Sequence, residues 1–371
     1  MTPPPLLRSP RQAVIGVLSA LILASKATAQ IIENPKPPPS PNAGRVVTLR
    51  ELSRTTEQKG KFFFVEPHEV ITGEDGSVYV VEYRQFLKFD PAGRFVSNLL
   101  KKGDGPGELN DNLTDVIVRA NDILLYSSNS LTLIRTDLNG KLLEDRRFDQ
   151  SGFGNLLGLR VGKSWFLKWE RVAFPQVNGI YESPRRLVSV SARGEVSPTT
   201  VMMPMTESRS LRRGGIGINS LSRLTATWVG DRDVYLFHSP DYLIKQLDLE
   251  TGKIVRAFRR PYVRVPYLAK PTRNYPAELI PKFHNDLCRL LWHDGKLWAV
   301  TSTYNSKKGI LVDVYSPEGK YLDNFWLPLF GLRRNNPQYW APMAIHGNLL
   351  YVLEADEDDV IALVKYEIVG R

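Results

Sequence analysis

The side chains in this 371-residue chain that could hold a metal or move a proton are few and widely spaced. There are five histidines, His68, His238, His284, His293 and His346, and a single cysteine, Cys288. Zinc chemistry needs several such ligands to converge. Only His68 and His284 fall at connections between apolar runs; the other three fall in strand-like runs or hairpin turns. Oxygen donors are better represented. Glu66, Asn112, Asn219 and Asp286 each stand just before an apolar run, part of a polar, Asn-rich series at such positions. Asn155 and Asn285 occupy comparable places, where Asn also serves simply to tie backbone amides in turns. Acyl-transfer chemistry has no signature: no Gly-x-Ser-x-Gly elbow is present. Cys288 lies in DLCRLLW, a strand-like run, and reads as an inert packed thiol. Residues 355–359, ADEDD, lack the spacing of a calcium hand, and Gly214-Gly215-Ile216-Gly217 lacks the lysine and following helix of a phosphate cradle. No residue is assigned a catalytic role.

A second pattern concerns binding. Three stretches, 204–217, 259–282 and 328–340, together carry 11 basic and 2 acidic side chains. They contain Arg209, Arg212 and Arg213, then Arg260, Arg264 and Arg273, then Arg333 and Arg334. Aromatic residues, Tyr267 and Trp340 among them, are interleaved. Guanidinium groups beside aromatic faces suit anionic or flat, glycan-like ligands. His68 and His284 border the same connections. Nucleic acid is not expected, since no recognition motif accompanies the charge.

These residues must be placed by a repeating framework, and the framework shows in the turns. Asp75-Gly76, Asn121-Asp122, Gly162-Lys163, Gly230-Asp231, Asp294-Gly295 and Gly347-Asn348 each adjoin a dense apolar run. A second series, ending at Gly93, Gly140, Gly194, Gly252 and Gly319, closes a further strand pair. Such dipeptides supply the backbone conformations of tight hairpins. Each unit therefore reads as four antiparallel strands. In VYVV, Val78 and Val80 face one way and Tyr79 and Val81 the other, so both faces are apolar and both must be covered. Radial stacking of four-stranded sheets does this. The expected fold is all-β, a six-bladed β-propeller. Its last unit lacks a strand, which residues 45–52 (RVVTLREL) can supply, closing the ring and removing two open edges. Uneven spacing points to insertions at 172–186, 204–217 and 261–282.

Phe64 to Leu109 resembles an NHL-type repeat, closest to bacterial six-bladed propellers whose blades end in a G-x-GPGEF-like corner, here Gly103-Asp104-Gly105-Pro106-Gly107-Glu108-Leu109. The resemblance is good in the first unit, fair in the second and fifth, and elsewhere a skeleton of turns. It implies a fold and export, and no activity, because propellers host enzymes, receptors and scaffolds alike. Calcium lactonases of similar architecture hold their ion with Glu, Asn and Asp at the channel mouth. That likeness makes Glu66, Asn112, Asn219 and Asp286 the candidate ligands of an alternative reading, although beyond Glu66-Pro67 the surrounding segments are not reproduced.

Export has its own signal. Arg8 and Arg11 precede an apolar run, Ala13 to Ala24, followed by Ala27-Thr28-Ala29, the order of a secretory leader. The run is shorter than the ~20 residues of a membrane-spanning helix. Residues 1–29 are thus expected to be a signal peptide, the alternative being an uncleaved membrane anchor, with 30–44 a proline-rich linker and 45–371 a single six-bladed propeller domain. The net charge of +10 falls to +7 on leader removal. The chain is expected to be exported, periplasmic or extracellular, and monomeric. It would be a non-catalytic module binding an anionic ligand, a polysaccharide or a protein through its basic, aromatic loops, without a cofactor. The alternative is a calcium-dependent hydrolase or lactonase.

Overall fold

A computed structural model describes residues 30–58, 60–147, 154–159, 166–171, 179–190, 196–212, 215–220, 224–230, 232–238, 241–268, 277–330 and 342–369. Among them the only helical turn is a 3₁₀ segment at Ala277–Leu279; all other regular structure is strand. Three strands precede the first repeat unit: β1 (Ile31–Glu33), β2 (Arg45–Val46) and β3 (Thr48–Thr55). Sheet one is β4 (Glu69–Thr72), β5 (Val78–Val81), β6 (Phe86–Phe89) and β7 (Phe95–Asn98). Sheet two is β8 (Asp115–Val118), β9 (Ile123–Ser127), β10 (Thr132–Thr136) and β11 (Leu142–Arg147). Sheet three is β12 (Gly154–Leu159), β13 (Phe166–Arg171), β14 (Gly179–Val190), β15 (Val196–Arg212) and β16 (Gly215–Ser220). Sheet four is β17 (Leu224–Val229), β18 (Asp233–His238), β19 (Ile244–Asp248) and β20 (Lys253–Arg259), with β1 added at its edge. Sheet five is β21 (Leu287–His293), β22 (Lys296–Asn305), β23 (Gly309–Tyr315) and β24 (Tyr321–Leu327), with β2 at its edge. Sheet six is β25 (Met343–His346), β26 (Leu349–Ala355) and β27 (Ile361–Val369), with β3 as its fourth strand.

The fold is a β-propeller. Five of the sheets have the expected form, an antiparallel four-strand meander, with short parallel additions in two of them. Sheet three departs from it. The segment 204–217, read in sequence as a basic loop, is instead strand: β15 runs on to Arg212, turns and returns as β16. Its partner β14 begins at Gly179, well before its pairing with β13 starts at Arg185. The outcome is a three-stranded wing projecting beyond the sheet. Its alternating pattern explains the change: Met203, Met205 and Glu207 are buried while Met202 and Pro204 are exposed, the two-residue period of a strand.

Packing follows the two-sided apolar pattern. Val78 and Val80 lie in one core cluster with Tyr351 and Leu353 of sheet six, and Tyr79 and Val81 lie in another with Val116 and Leu125 of sheet two. Sheets four and five share Phe258, Tyr315 and Tyr321. Each such fully buried large side chain contributes about 1.5–3 kcal/mol. The glycine-rich corner after β7 behaves as a wedge. Leu109, 2% exposed, sits in the cluster between sheets one and two. Gly103, at φ +149°, makes room for the Glu108 carboxylate, which folds back to accept the Gly105 N–H at 3.0 Å; a Cβ on Gly103 would meet that carboxylate.

Residues 30–55 run from sheet four to sheet six. β1 pairs parallel with β20, β2 pairs parallel with β24, and β3 pairs antiparallel with β27. Asn34 joins sheets four and five: its Nδ2 donates to the carbonyls of Arg259 (3.2 Å) and Gly319 (2.9 Å), and its Oδ1 accepts the Tyr321 N–H at 2.9 Å. Arg45 pairs with Asp323 at 2.8 Å, and Val47 is buried among sheet-five and sheet-six side chains. The two ends of the proline-rich segment, Ile31–Asn34 and Gly44, are thus bonded to sheets four and five.

Candidate functional site

The meander puts two kinds of connection on opposite faces. Tight turns such as 73–77 and 90–94 lie on one, the hairpin face. The loops joining the middle strands, and the links from each sheet to the next, lie on the other, the loop face. The exposed large apolar side chains are distributed unequally. Phe63, Val65, Tyr83, Val263, Leu268, Phe283, Phe330 and Val360 are all in loop-face connections, and Tyr304 is near the loop-face end of β22. The remaining ones among the described residues lie on strands, and none lies in a turn of the hairpin face. Phe63 is 61% exposed and Leu268 is 86% exposed.

On this face, over sheet one, opens a cleft of about 620 Å³, within the range usual for ligand sites. Phe63, Val65 and Tyr83 form its apolar wall. Glu66, Asn112, Arg84 and Lys102 line the rest. Glu82 lies beneath at 2% exposure and shapes it. Its carboxylate accepts the Val65 N–H (3.2 Å), the Glu66 N–H (3.4 Å) and the Gln85 side-chain amide (3.2 Å), while Gln85 also donates to the Phe63 carbonyl at 3.1 Å. Burial raises the Glu82 pKa, and the three N–H groups work against that rise. His68 stacks on Tyr83 with ring centres 4.8 Å apart. Asn98 fixes the far side, its Oδ1 accepting the N–H groups of Phe86 and Leu100, each at 3.1 Å.

Two of the four oxygen donors of the calcium alternative, Glu66 and Asn112, thus share a cleft, with His68 at its edge. Asp286 is not with them. It is buried on sheet five and bonded to Arg264 (Nε to Oδ1, 3.0 Å). Burial pushes its pKa up to about 6 in spite of Arg264. Asn219 is in β16, opposite Ser208, and its side chain lies outside the described residues. Among the described residues no three His, Cys, Asp or Glu side chains gather as a metal site would require.

The basic face also differs from expectation. Arg260 is 8% exposed, and Asp313, fully buried, neutralises it. Its guanidinium is walled by the rings of Tyr242 (4.9 Å), Tyr262 (5.3 Å) and Tyr321 (5.4 Å). Tyr242 and Tyr321 also donate their hydroxyls to Asp313, and burial beside that carboxylate holds both phenols above their ordinary pKa. This Arg–Asp–Tyr cluster joins sheets four and five and has no access to a ligand. Arg264 is likewise engaged by Asp286 and lies over Phe283 at 4.7 Å. Arg209 is in β15, on the wing rather than a loop. Arg212 ends that strand, and its side chain lies outside the described residues, as do Arg213, Arg273, Arg333, Arg334 and Trp340 altogether. Tyr267 and His284 meet edge to face at 4.9 Å, and burial lowers the His284 pKa.

Sequence reading missed Tyr83, Arg84, Lys102 and Phe63, and the support given by Glu82. The segment Glu82-Tyr83-Arg84-Gln85 separates two apolar runs and held the only available signal: a charged, aromatic loop at the same end of the sheet as Glu66. A second cavity, about 380 Å³, lies between the inner strands, where Arg289 and Glu69 form a 3.2 Å ion pair across it.

No protein-family description matches the chain, and no curated protein matches it. Solved structures do. A candidate exported protein from Bacteroides fragilis shares 14% identity, with 92% of this chain and all of that one aligned and a TM-score of 0.54. A member of the DUF4221 family from Bacteroides vulgatus shares 10% identity over 87% of this chain and 98% of its own, at a TM-score of 0.44. A virginiamycin B lyase from Staphylococcus aureus shares 10% identity over 87% of this chain and all of its own, also at 0.44. At such identities the similarity speaks to the fold, and it is the β-propeller fold that the first of these shares.

Proposed function

We propose that this chain is an exported, non-catalytic β-propeller that binds a ligand or partner through its loop face. The observation that carries the reading is the occurrence of exposed apolar side chains in the connections of that face, three of which, Phe63, Val65 and Tyr83, wall a cleft whose Arg84, Lys102 and Glu66 have no ion-pair partner among the described residues. Export is supported by the leader-like order of residues 8–29. A six-bladed, NHL-like ring, with sheet three as its third blade and β3 completing the last, is supported by core clusters shared between successive sheets and between sheets six and one. The engagement of Arg260 and Arg264 moves the binding role from the basic links to the cleft and apolar rim.

The test is affinity capture from bacterial envelope extracts on immobilised protein, quantifying retained carbohydrate and protein. The Phe63→Ser/Val263→Ser/Leu268→Ser variant should lose what the wild type retains, whereas Asn348→Asp on the hairpin face should not. Equal retention by the triple variant overturns the reading. The calcium alternative keeps one supporting observation, the shared cleft of Glu66 and Asn112. Calcium-dependent lactone hydrolysis abolished by Glu66→Gln would favour it instead.

A further inference from the structure

We infer that the cleft over sheet one takes an acidic saccharide, a short sugar chain bearing carboxylates; this deepens the loop-face binding reading and rests on it. Three features of the cleft combine. Its wall is an aromatic and apolar platform, Phe63, Val65 and Tyr83, all exposed, which can cover the C–H face of a pyranose ring while leaving the ring's hydroxyls free. The platform is held rather than loose: Glu82 and Gln85 bond the backbone that carries it, and His68 backs Tyr83. Such pre-organisation lowers the cost of ordering on binding.

The polar groups select the chemistry. Arg84 and Lys102 enter the cleft without ion-pair partners among the described residues, in contrast to Arg260 and Arg264. Of the two carboxylates that line the cleft, Glu82 is buried and engaged by three N–H groups, so the exposed charge is two cations against Glu66, which favours an anion, and a guanidinium fork matches a carboxylate. Glu66 and Asn112 add acceptors and an amide donor suited to hydroxyl groups. A simple polyanion would leave the apolar wall uncovered and Glu66 opposed to it. A neutral sugar would leave Arg84 and Lys102 unused.

Isothermal titration with tetragalacturonate, cellotetraose and a tetra-aspartate peptide tests this on the leaderless chain from residue 30. Tetragalacturonate should bind with a dissociation constant of about 1 mM or tighter and at least about tenfold more tightly than either other probe. Phe63→Ala/Tyr83→Ala and Arg84→Gln/Lys102→Gln should each weaken it at least about tenfold with unchanged melting temperature, and the second pair should also flatten the salt dependence. No binding of tetragalacturonate overturns the proposal. Equal binding of cellotetraose overturns the role of the cations, and equal binding of tetra-aspartate overturns that of the platform. Binding that survives both cleft variants but is lost in Val263→Ser/Leu268→Ser overturns the cleft assignment while leaving loop-face binding standing.

Discussion

Two N–H groups of Arg260 converge on one oxygen of Asp313, Nε at 2.9 Å and Nη2 at 2.6 Å, and so join the end of sheet four to the middle of sheet five. Removing one partner would strand a charge in an apolar interface. Asp313→Ala is expected to cost about 3–5 kcal/mol in urea unfolding, whereas Arg260→Met/Asp313→Leu should recover much of that loss. A double variant no more stable than Asp313→Ala would show that the tyrosine hydroxyls, rather than the ion pair, govern the site.

Asp286 should make stability depend on pH. In the folded chain burial lifts its pKa to about 6, above the exposed-aspartate value of 3.8. Folding therefore takes up a proton between these values, and this residue's contribution to stability rises as pH falls from about 7 towards 4. Asp286→Asn should remove a difference on the order of 2 kcal/mol across that window. Melting temperatures of the two proteins against pH should diverge there; parallel curves would show that Arg264 keeps Asp286 ionised throughout.

The proline-rich start of the described chain can be tested through Asn34. Its side chain makes three hydrogen bonds to two sheets. Asn34→Ala is expected to cost about 1–3 kcal/mol, because the Gly319 carbonyl and the Tyr321 N–H lose a partner together while the Arg259 carbonyl keeps only the backbone N–H of residue 34. The amide proton of Tyr321, which Asn34 Oδ1 accepts, should then exchange faster with deuterium. Unchanged exchange at Tyr321 would mean that β1 and β2 hold the segment without it.

Gly309 should not tolerate a side chain. Its φ is +89°, and a Cβ there would lie 1.9 Å from the Leu327 carbonyl oxygen. Gly309→Ala is expected to destabilise by about 2 kcal/mol or more, since the obstacle is backbone and the conformation is itself strained. Chemical denaturation would read this directly, and a shift below about 0.5 kcal/mol would refute it.

Much of the strand framework was legible because turns carry their own chemistry. Gly76, Gly93, Gly140, Gly252, Gly295 and Gly319 all adopt positive φ, and the doubly apolar VYVV is buried on both faces. The wing of sheet three was not legible, since its Pro, Ser and Arg content reads as loop and only the alternation of 202–207 betrays a strand. The basic face misled for a different reason. Arg260 is 53 residues from Asp313, and Arg264 is 22 residues from Asp286, so nothing local in the sequence reveals that these cations are already matched. The cleft residues Glu66 and Asn112 were found because they precede inner strands. Tyr83, Arg84 and Lys102 escaped because they belong to a middle loop and to the far side of a corner.

Strands β1, β2 and β3 find their partners at residues 257–259, 325–326 and 363–369. The earliest-made described segment thus waits for nearly the last, a long-range closure of the sort that slows folding. Until residues 363–369 are made β3 has no antiparallel partner, so sheet six stays incomplete long after its fourth strand has been synthesised.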